Sequence, residues 1–202
     1  MSKVVFIIDI DTTIANNDHR ASLLSRVCAS CGISLSPSAR GACSRCGSFE
    51  TRIPQESWDD FLQEELIAKD SVEVGAKRTI DAFRKFGFEF HFITGRNGTK
   101  ANRRAVTEQW LRDNVDWNPD QELLFMRTFA DEGKVASVYK EAAFKRLCAA
   151  KGYGLYVNFI FFEDDHFVFN TYEKYGIVIS SPGCWEFFAP AGATGEEALW
   201  RR

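Results

Sequence analysis

No apolar run in the 202-residue chain approaches the roughly 18 residues that a membrane span requires. There is no excess of positive charge either. Lysine and arginine number 25 against 28 acids, for a net charge of −3 and a pI near 5.7. That excludes a global basic field able to hold a long nucleic acid, while leaving room for a local pocket that takes a nucleotide or a short strand. Internal repeats and low-complexity tracts are absent. So is a GxxxxGK stretch followed by Ser or Thr: "GRNGTK" at 95–100 lacks the spacing, which excludes a P-loop. The opening "MSKVVFIIDID" has no small-residue cleavage site after its short apolar run, so it reads as a buried strand and not a signal peptide. The expectation is a cytoplasmic protein with reduced thiols.

What is present is ordinary for a globular protein, 45% apolar and 26% charged residues. The length suits one domain with a small insert. A continuous apolar run at 3–9 reads as a buried parallel strand, an aromatic stretch at 88–96 and a further apolar run at 157–165 that ends in acid as two more strands, and "ELLFMR" at 122–127 and Ile177 to Ile179 as shorter ones. Helical spacing is expected at 20–27, at 57–70 with Ser57 as N-cap, at 74–87, at 99–114 and at 137–152, the last stopped by Gly152. Strands alternating with helices predict an α/β fold with a mostly parallel sheet. Trp58, Phe61, Trp110 and Trp117 read as core, His91 as a structural strand residue, and Arg103 with Arg104 as a solvated helix face.

The three most apolar strands end in Asp9, Thr94 and Asp164–Asp165. Ligand sites in open parallel sheets lie beyond the carboxyl ends of strands, so these residues should meet in one crevice. Two carboxylates side by side repel and cost desolvation, so their placement needs a reason. A magnesium ion supplies one, being a hard cation that takes one or two carboxylates plus substrate phosphate. Asp9 and Asp164 fit such a site. Asp9 is placed to attack phosphorus, giving an aspartyl-phosphate. Asp11, on the same side of an extended strand, is placed to protonate the leaving oxygen and later deprotonate water. Thr94 can hold a phosphoryl oxygen, and a lysine is needed to neutralise the developing charge.

"DIDTT", "FITGR", "YKEAAF" and "FFEDD", in that order, resemble the four motifs of the haloacid dehalogenase (HAD) superfamily. With "DHR", "SWDDF", Asp70 and "LFMR", the series is most similar to the phosphatase domain of phage-type polynucleotide kinase/phosphatase, over residues 6–20 and 57–179. The resemblance implies a HAD-like Rossmannoid parallel sheet. It implies Asp9 as nucleophile and Asp11 as general acid/base, Thr13 orienting the loop, and Thr94 and the Gly95 amide on phosphate. It further implies Lys140 pairing with nucleophile and phosphoryl group, Asp164 and Asp165 completing a magnesium site with Asp9 and the Asp11 carbonyl, and Arg96 and Arg127 as substrate-side cations. Thr12 stands where the family usually has glycine, and Lys134 is a rival to Lys140.

Four of the six cysteines, Cys28, Cys31, Cys43 and Cys46, form two CxxC pairs separated by eleven residues. This is the spacing of a zinc ribbon, whose metal would supply much of the folding energy of so short and polar a segment. The expected organisation is a core of 1–14 and 72–202 and a lid-like cap of 15–71, with the ribbon at 28–46. Five arginines against one acid between Arg20 and Arg52, less the charge of a zinc–thiolate centre, leave about +2. The function these features imply is a magnesium-dependent phosphomonoester hydrolase acting on a nucleic-acid 3′-phosphate or on a nucleoside monophosphate. A non-catalytic adaptor that binds nucleic acid or protein through the ribbon is the contrasting class. Intact Asp9, Asp11, Thr94, Lys140 and Asp164 weigh against it.

Overall fold

The apolar run at the start of the chain forms β1 (Lys3–Ile8), in which Val5 and Ile7 pack on one side of a sheet and Phe6 and Ile8 on the other. Burial on both faces is why the run does not alternate with polar residues. The computed structural model describes residues 3–35, 41–100 and 102–188; Arg40, Ala101 and the end of the expected core at 189–202 lie outside them.

In chain order there follow β2 (Ala15–Asn16), α1 (Asp18–Ala21), β3 (Arg26–Cys28), β4 (Ser34–Leu35), β5 (Thr51–Arg52), α2 (Gln55–Phe61), α3 (Glu64–Ile67) and β6 (Ser71–Val72). Then come α4 (Ala76–Lys85), β7 (Glu89–Asn97), α5 (Arg103–Val115), β8 (Leu124–Arg127) and α6 (Ala136–Lys151). The last described elements are β9 (Val157–Glu163), α7 (His166–Tyr172), β10 (Gly176–Ser180) and α8 (Cys184–Phe188). The chain divides into two compact units, residues 1–16 with 71–202, and residues 17–70.

The larger unit is built on a five-stranded sheet in the order β10-β9-β1-β7-β8, with every pairing parallel. The strand order runs outward from β1 to β8, then returns to β9 on the other side. The chain therefore reverses direction beside β1, which opens a crevice at the carboxyl ends of β1 and β9. One face of the sheet packs on α4, α5 and α8 through Phe6, Phe90, Phe162, Ile80, Trp110 and Trp185. The other packs on α6 and α7 through Val5, Ile7, Phe161, Phe144 and Tyr172. Phe6 stacks on Phe83 and on Phe90 with centroids 5.0 Å apart in both cases. Ring pairs of this kind add about 0.5–1.5 kcal/mol each beyond area burial. The fold is α/β with a central parallel sheet, as the strand–helix alternation predicts.

Four local expectations are corrected. The helix expected over 20–27 ends at Ala21, and β3 takes Arg26–Cys28 into a small antiparallel ribbon with β4 and β5. The helix expected over 57–70 is two helices, because Gln63 is extended (ψ 140°) between α2 and α3; Ser57 lies inside α2 and caps nothing. Arg103 is buried at the start of α5, on the helix face that carries Thr107 and Trp110, and only Arg104 is solvated, pairing with Glu108 at 2.9 Å. Trp58 is part-exposed, whereas Phe61, Trp110 and Trp117 are core.

Candidate active site and candidate metal centre

β1 extends one residue beyond its last sheet partner, the Asp9 amide donating to the Phe162 carbonyl at 3.0 Å. The chain then turns sharply. The Ile10 carbonyl accepts from the amides of Thr13, Ile14 and Ala15, and the Thr12 amide donates to the Ala15 carbonyl. Thr12 has φ +57°, a left-handed conformation that costs a β-branched residue about 1–2 kcal/mol. Its place in the turn is the physical reason a glycine would be at ease there. Thr13 is held from both ends: its carbonyl accepts from Trp185 Nε1 (2.6 Å) and Ser181 Oγ (3.2 Å), and its hydroxyl donates to Asp164 Oδ1 (3.3 Å).

Lys140 comes from the second turn of α6 and reaches under this loop. Its Nζ lies 3.1 Å from Asp9 Oδ1 and donates to both Glu163 oxygens at 2.7 Å. The contact with Asp9 is an ion pair without hydrogen-bond geometry, so Asp9 Oδ1 is a buried oxygen with no hydrogen-bond partner. Burial pushes the Asp9 carboxyl well above its ordinary range. Lys140 opposes the shift, while Glu163, Asp164 and Asp11 add to it. Glu163 is raised as well, chiefly by burial and against the pull of Lys140. Desolvation works against the Lys140 ammonium, but Asp9 and Glu163 outweigh it and hold the lysine above its usual value.

Carboxylate oxygens of Asp9, Glu163 and Asp164 all lie within 4.8 Å of one another. Three carboxyl groups, Asp9 and Glu163 buried and Asp164 half-buried, face one ammonium, so the cluster is short of positive charge. Together with the orphaned Asp9 oxygen, this fits a hard divalent cation such as Mg²⁺, which takes oxygen ligands. Glu163 was not among the ligands expected from sequence. The signal was visible: it is the first of three consecutive acids at the carboxyl end of β9. Asp165, expected in the site, instead caps α7, its carboxylate accepting from the Phe167 amide at 2.9 Å. The Asp165 amide donates to Glu163 Oε1 at 3.2 Å, and its carboxylate is not among the three that converge.

Thr94 is buried near the end of β7, its hydroxyl accepting from the Arg96 amide at 3.3 Å. The pairing of β7 with β8 loses register between Ile93 and Asn97. Thr94, exposed Gly95 and Arg96 occupy that irregularity, a common way of re-aiming side chains beside a site. Arg96 is fully buried and forks onto both oxygens of Asp11, at 2.9 and 2.7 Å. Arg127 donates to the carbonyls of Lys134 (2.6 Å) and Asp131 (3.4 Å) and lies over the Tyr139 ring. Both arginines, expected to face substrate, are engaged by the protein itself. Lys134 pairs with buried Asp131 at 2.9 Å and takes no part in the cluster.

In the smaller unit the four cysteines converge. Cys28 Sγ is 3.5 Å from Cys46 Sγ and Cys31 Sγ is 3.7 Å from Cys43 Sγ, and all four lie within 4.8 Å of one another. Disulfides would need about 2.05 Å, whereas a tetrahedron of thiolates around zinc puts neighbours about 3.8 Å apart. Each pair sits on one of two matching knuckles. In Cys28-x-x-Cys31-Gly32 and Cys43-x-x-Cys46-Gly47 the glycine amide donates to the first cysteine's carbonyl, at 2.9 and 2.8 Å, with φ of +71° and +73°. The glycine after each CxxC is a sequence signal that counting cysteines alone passes over. Hydrogen bonding from the Cys31 backbone pulls the Cys28 thiol down to about 6. At Cys46 the Ser48 backbone pulls the same way, but the neighbouring sulfurs prevail and push it up to about 12. Thiols crowded like this cannot all ionise without a cation, and the donor set fits Zn²⁺.

No family model matches the chain, and no curated protein matches it in sequence. Among solved structures, a chain of the Pnkp1/Rnl/Hen1 RNA repair complex superposes with a TM-score of 0.52 at 15% identity, over 89% of this chain and 42% of that one. A second Pnkp1/Rnl/Hen1 structure gives 0.53 at 15% identity, over 89% and 46%. CbbY from Rhodobacter sphaeroides, solved in complex with phosphate, gives 0.53 at 12% identity, over 98% and 99%. At such identities the likeness is one of fold, and the chain spans less than half the length of the first two. The fold is the HAD-like α/β fold that the four motifs resemble. Among the described residues no helix is long and apolar enough to cross a membrane.

Proposed function

We propose that the chain is a magnesium-dependent phosphomonoester hydrolase working through an aspartyl-phosphate on Asp9, with a nucleic-acid 3′-phosphate as its substrate. The observation that carries the chemistry is Asp9 beside Lys140, in a cluster with Glu163 and Asp164 whose charge calls for a divalent cation. Magnesium, held by Asp9, Glu163 and Asp164, would supply charge neutralisation at the phosphoryl group.

This chain's own residues do the rest. The Asp9 carboxylate attacks phosphorus as the bond to the leaving oxygen breaks. Asp11 gives that oxygen a proton and then takes one from the water that opens the aspartyl-phosphate. Thr94 and the Gly95 amide hold phosphoryl oxygens, and Lys140 offsets their charge. Thr13 keeps Asp164 in place through its 3.3 Å hydrogen bond. The four-cysteine centre is structural zinc.

The likeness to a chain of an RNA repair complex supports the nucleic-acid substrate. CbbY, matched over nearly the whole of both chains, was solved with phosphate, which accords with a small phosphoester; a free nucleoside monophosphate is the second reading. The test is phosphate release with magnesium from a 3′-phosphorylated oligonucleotide, its 5′-phosphorylated twin, and 5′- and 3′-nucleoside monophosphates, with Asp9→Asn alongside. Preference for the 3′-phosphorylated oligonucleotide upholds the first reading, and preference for monophosphates the second. Release by wild type that persists in Asp9→Asn would remove the aspartyl-phosphate. No release from any of them would point to another phosphoester as substrate, or to the adaptor.

A further inference from the structure

We propose that Arg96 is a positioning residue for Asp11, anchored by Thr107, and that it does not bind the substrate's phosphate. This rests on the phosphatase reading above and assigns a task to a residue that sequence placed on the substrate side. The Arg96 side chain has no exposed surface. Its Nε and Nη2 meet the two Asp11 oxygens at 2.9 and 2.7 Å, and its Nη1 donates to the buried Thr107 hydroxyl at 3.3 Å. Asp11 therefore sits at the end of a chain of contacts that begins on α5, eleven residues beyond Arg96 and 96 beyond Asp11.

A guanidinium fork fixes more than distance. Two parallel hydrogen bonds tie the plane of the Asp11 carboxylate to the plane of Arg96. The Thr107 hydroxyl holds the third corner of the guanidinium, so the plane cannot swing about the fork. Asp11 is itself part-exposed, and left alone it would sample several rotamers. A group that must pass a proton to one oxygen and then take one from water gains from losing that freedom.

In the first half-reaction the Asp9–phosphorus bond forms, the bond to the leaving oxygen breaks, and the leaving oxygen takes the proton from Asp11, leaving an Asp11 carboxylate. In the second half, Asp11 removes a proton from water as the water oxygen bonds to phosphorus and the Asp9–phosphorus bond breaks. Asp11 ends protonated and ready for the next turnover.

The experiment compares kcat/KM, which reports steps up to the first phosphorus–oxygen cleavage, for two substrates. p-Nitrophenyl phosphate leaves without needing a proton; a 3′-phosphorylated oligonucleotide has an alkoxide leaving group and does need one. Arg96→Lys keeps the charge and loses the fork, and should cut kcat/KM on the oligonucleotide about 100-fold while changing p-nitrophenyl phosphate less than about 5-fold. Thr107→Val removes only the anchor and is nearly isosteric, so it tests the same point should Arg96→Lys fold poorly. It should act on the oligonucleotide alone, by about 10-fold. Equal losses on both substrates, carried by KM, would make Arg96 a phosphate ligand and overturn the proposal. So would no loss on either. Wild type that hydrolyses p-nitrophenyl phosphate but no alkyl phosphate also overturns it, and leaves the aspartyl-phosphate reading standing. Wild type inactive on every phosphoester defeats that reading first, and this one with it.

Discussion

Arg20 and Asp70, fifty residues apart and both fully buried, meet in a two-pronged ion pair with contacts of 2.8 and 2.6 Å. They lie in the first helix and at the last residue of the 17–70 unit, so the pair closes that unit on itself. Arg20 also donates to the Phe61 carbonyl at 2.7 Å and lies 3.9 Å over the Phe61 ring. Removing one member leaves a buried charge uncompensated. Asp70→Asn is expected to destabilise the unit by about 3–5 kcal/mol. Hydrogen exchange of amides within 17–70 checks this. Unchanged protection there would mean that the pair contributes little.

The geometry ranks the two candidate lysines. Lys140 touches Asp9 and Glu163, while Lys134 is spent on Asp131. Lys140→Ala should lose about 100-fold or more in kcat, in the range of removing a preorganised cation from the reacting group. Lys134→Ala should stay within about 3-fold, since a part-exposed ion pair contributes little. Phosphate release under saturating substrate decides it, and the reverse order would move the third motif to Lys134.

The four thiols should hold metal in solution. Protein purified without chelator is expected to carry one zinc per chain by elemental analysis. Stripping that zinc should unfold the ribbon first and leave the parallel sheet folded, because the sheet's core is wholly its own. Far-UV circular dichroism together with hydrogen exchange separates the two responses. Less than one zinc per chain would sink the ribbon assignment.

His91 gives the larger unit a pH dependence of its own. Burial, helped by Lys151 and opposed by Glu89, holds the imidazole down to about 4. Its Nδ1 accepts from the Leu123 amide at 3.0 Å, so in the neutral ring Nε2 carries the hydrogen and faces the Tyr153 hydroxyl at 2.7 Å and Glu89 at 3.0 Å. The folded-state pKa lies below the unfolded one. The stability is therefore complete above about pH 6.5 and is lost as pH falls towards 4, by about 3 kcal/mol in all. Melting temperatures between pH 7 and pH 4 should show this slope in wild type and a flatter one in His91→Asn. An unchanged slope in the variant would assign the acid sensitivity to other groups.

Much of the fold could be read from the chain because its strands are buried on both faces. Continuous apolar runs such as "KVVFII" and "VNFIFF" suit the inside of a covered parallel sheet and are too short for a core helix. The acids and the hydroxyl that end those runs were found for the same reason: a strand's carboxyl end is a place as well as a composition. What escaped notice depends on pairing across long separations. That Asp11 would be forked by Arg96, 85 residues away, is written in neither residue. That Glu163 would meet Lys140 with both oxygens is likewise a pairing across 23 residues, which the strand ending "FFEDD" does not show. The resemblance implies Asp165 in the metal site; in the structure its carboxylate caps the start of α7. The single helix expected over 57–70 failed at Gln63, where no glycine or proline marks the break.

The short ladder of β2 and β6, in which Ala15 faces Val72 and Asn16 faces Ser71, has the geometry of a hairpin whose turn has been replaced by 54 residues. To the sheet, everything from Asn17 to Asp70 is a cassette plugged into one socket. The two chain junctions that bound it are adjacent, so its length is free to vary without stretching the scaffold. A segment joined in this way can change without moving Asp9, Lys140, Glu163 or Asp164.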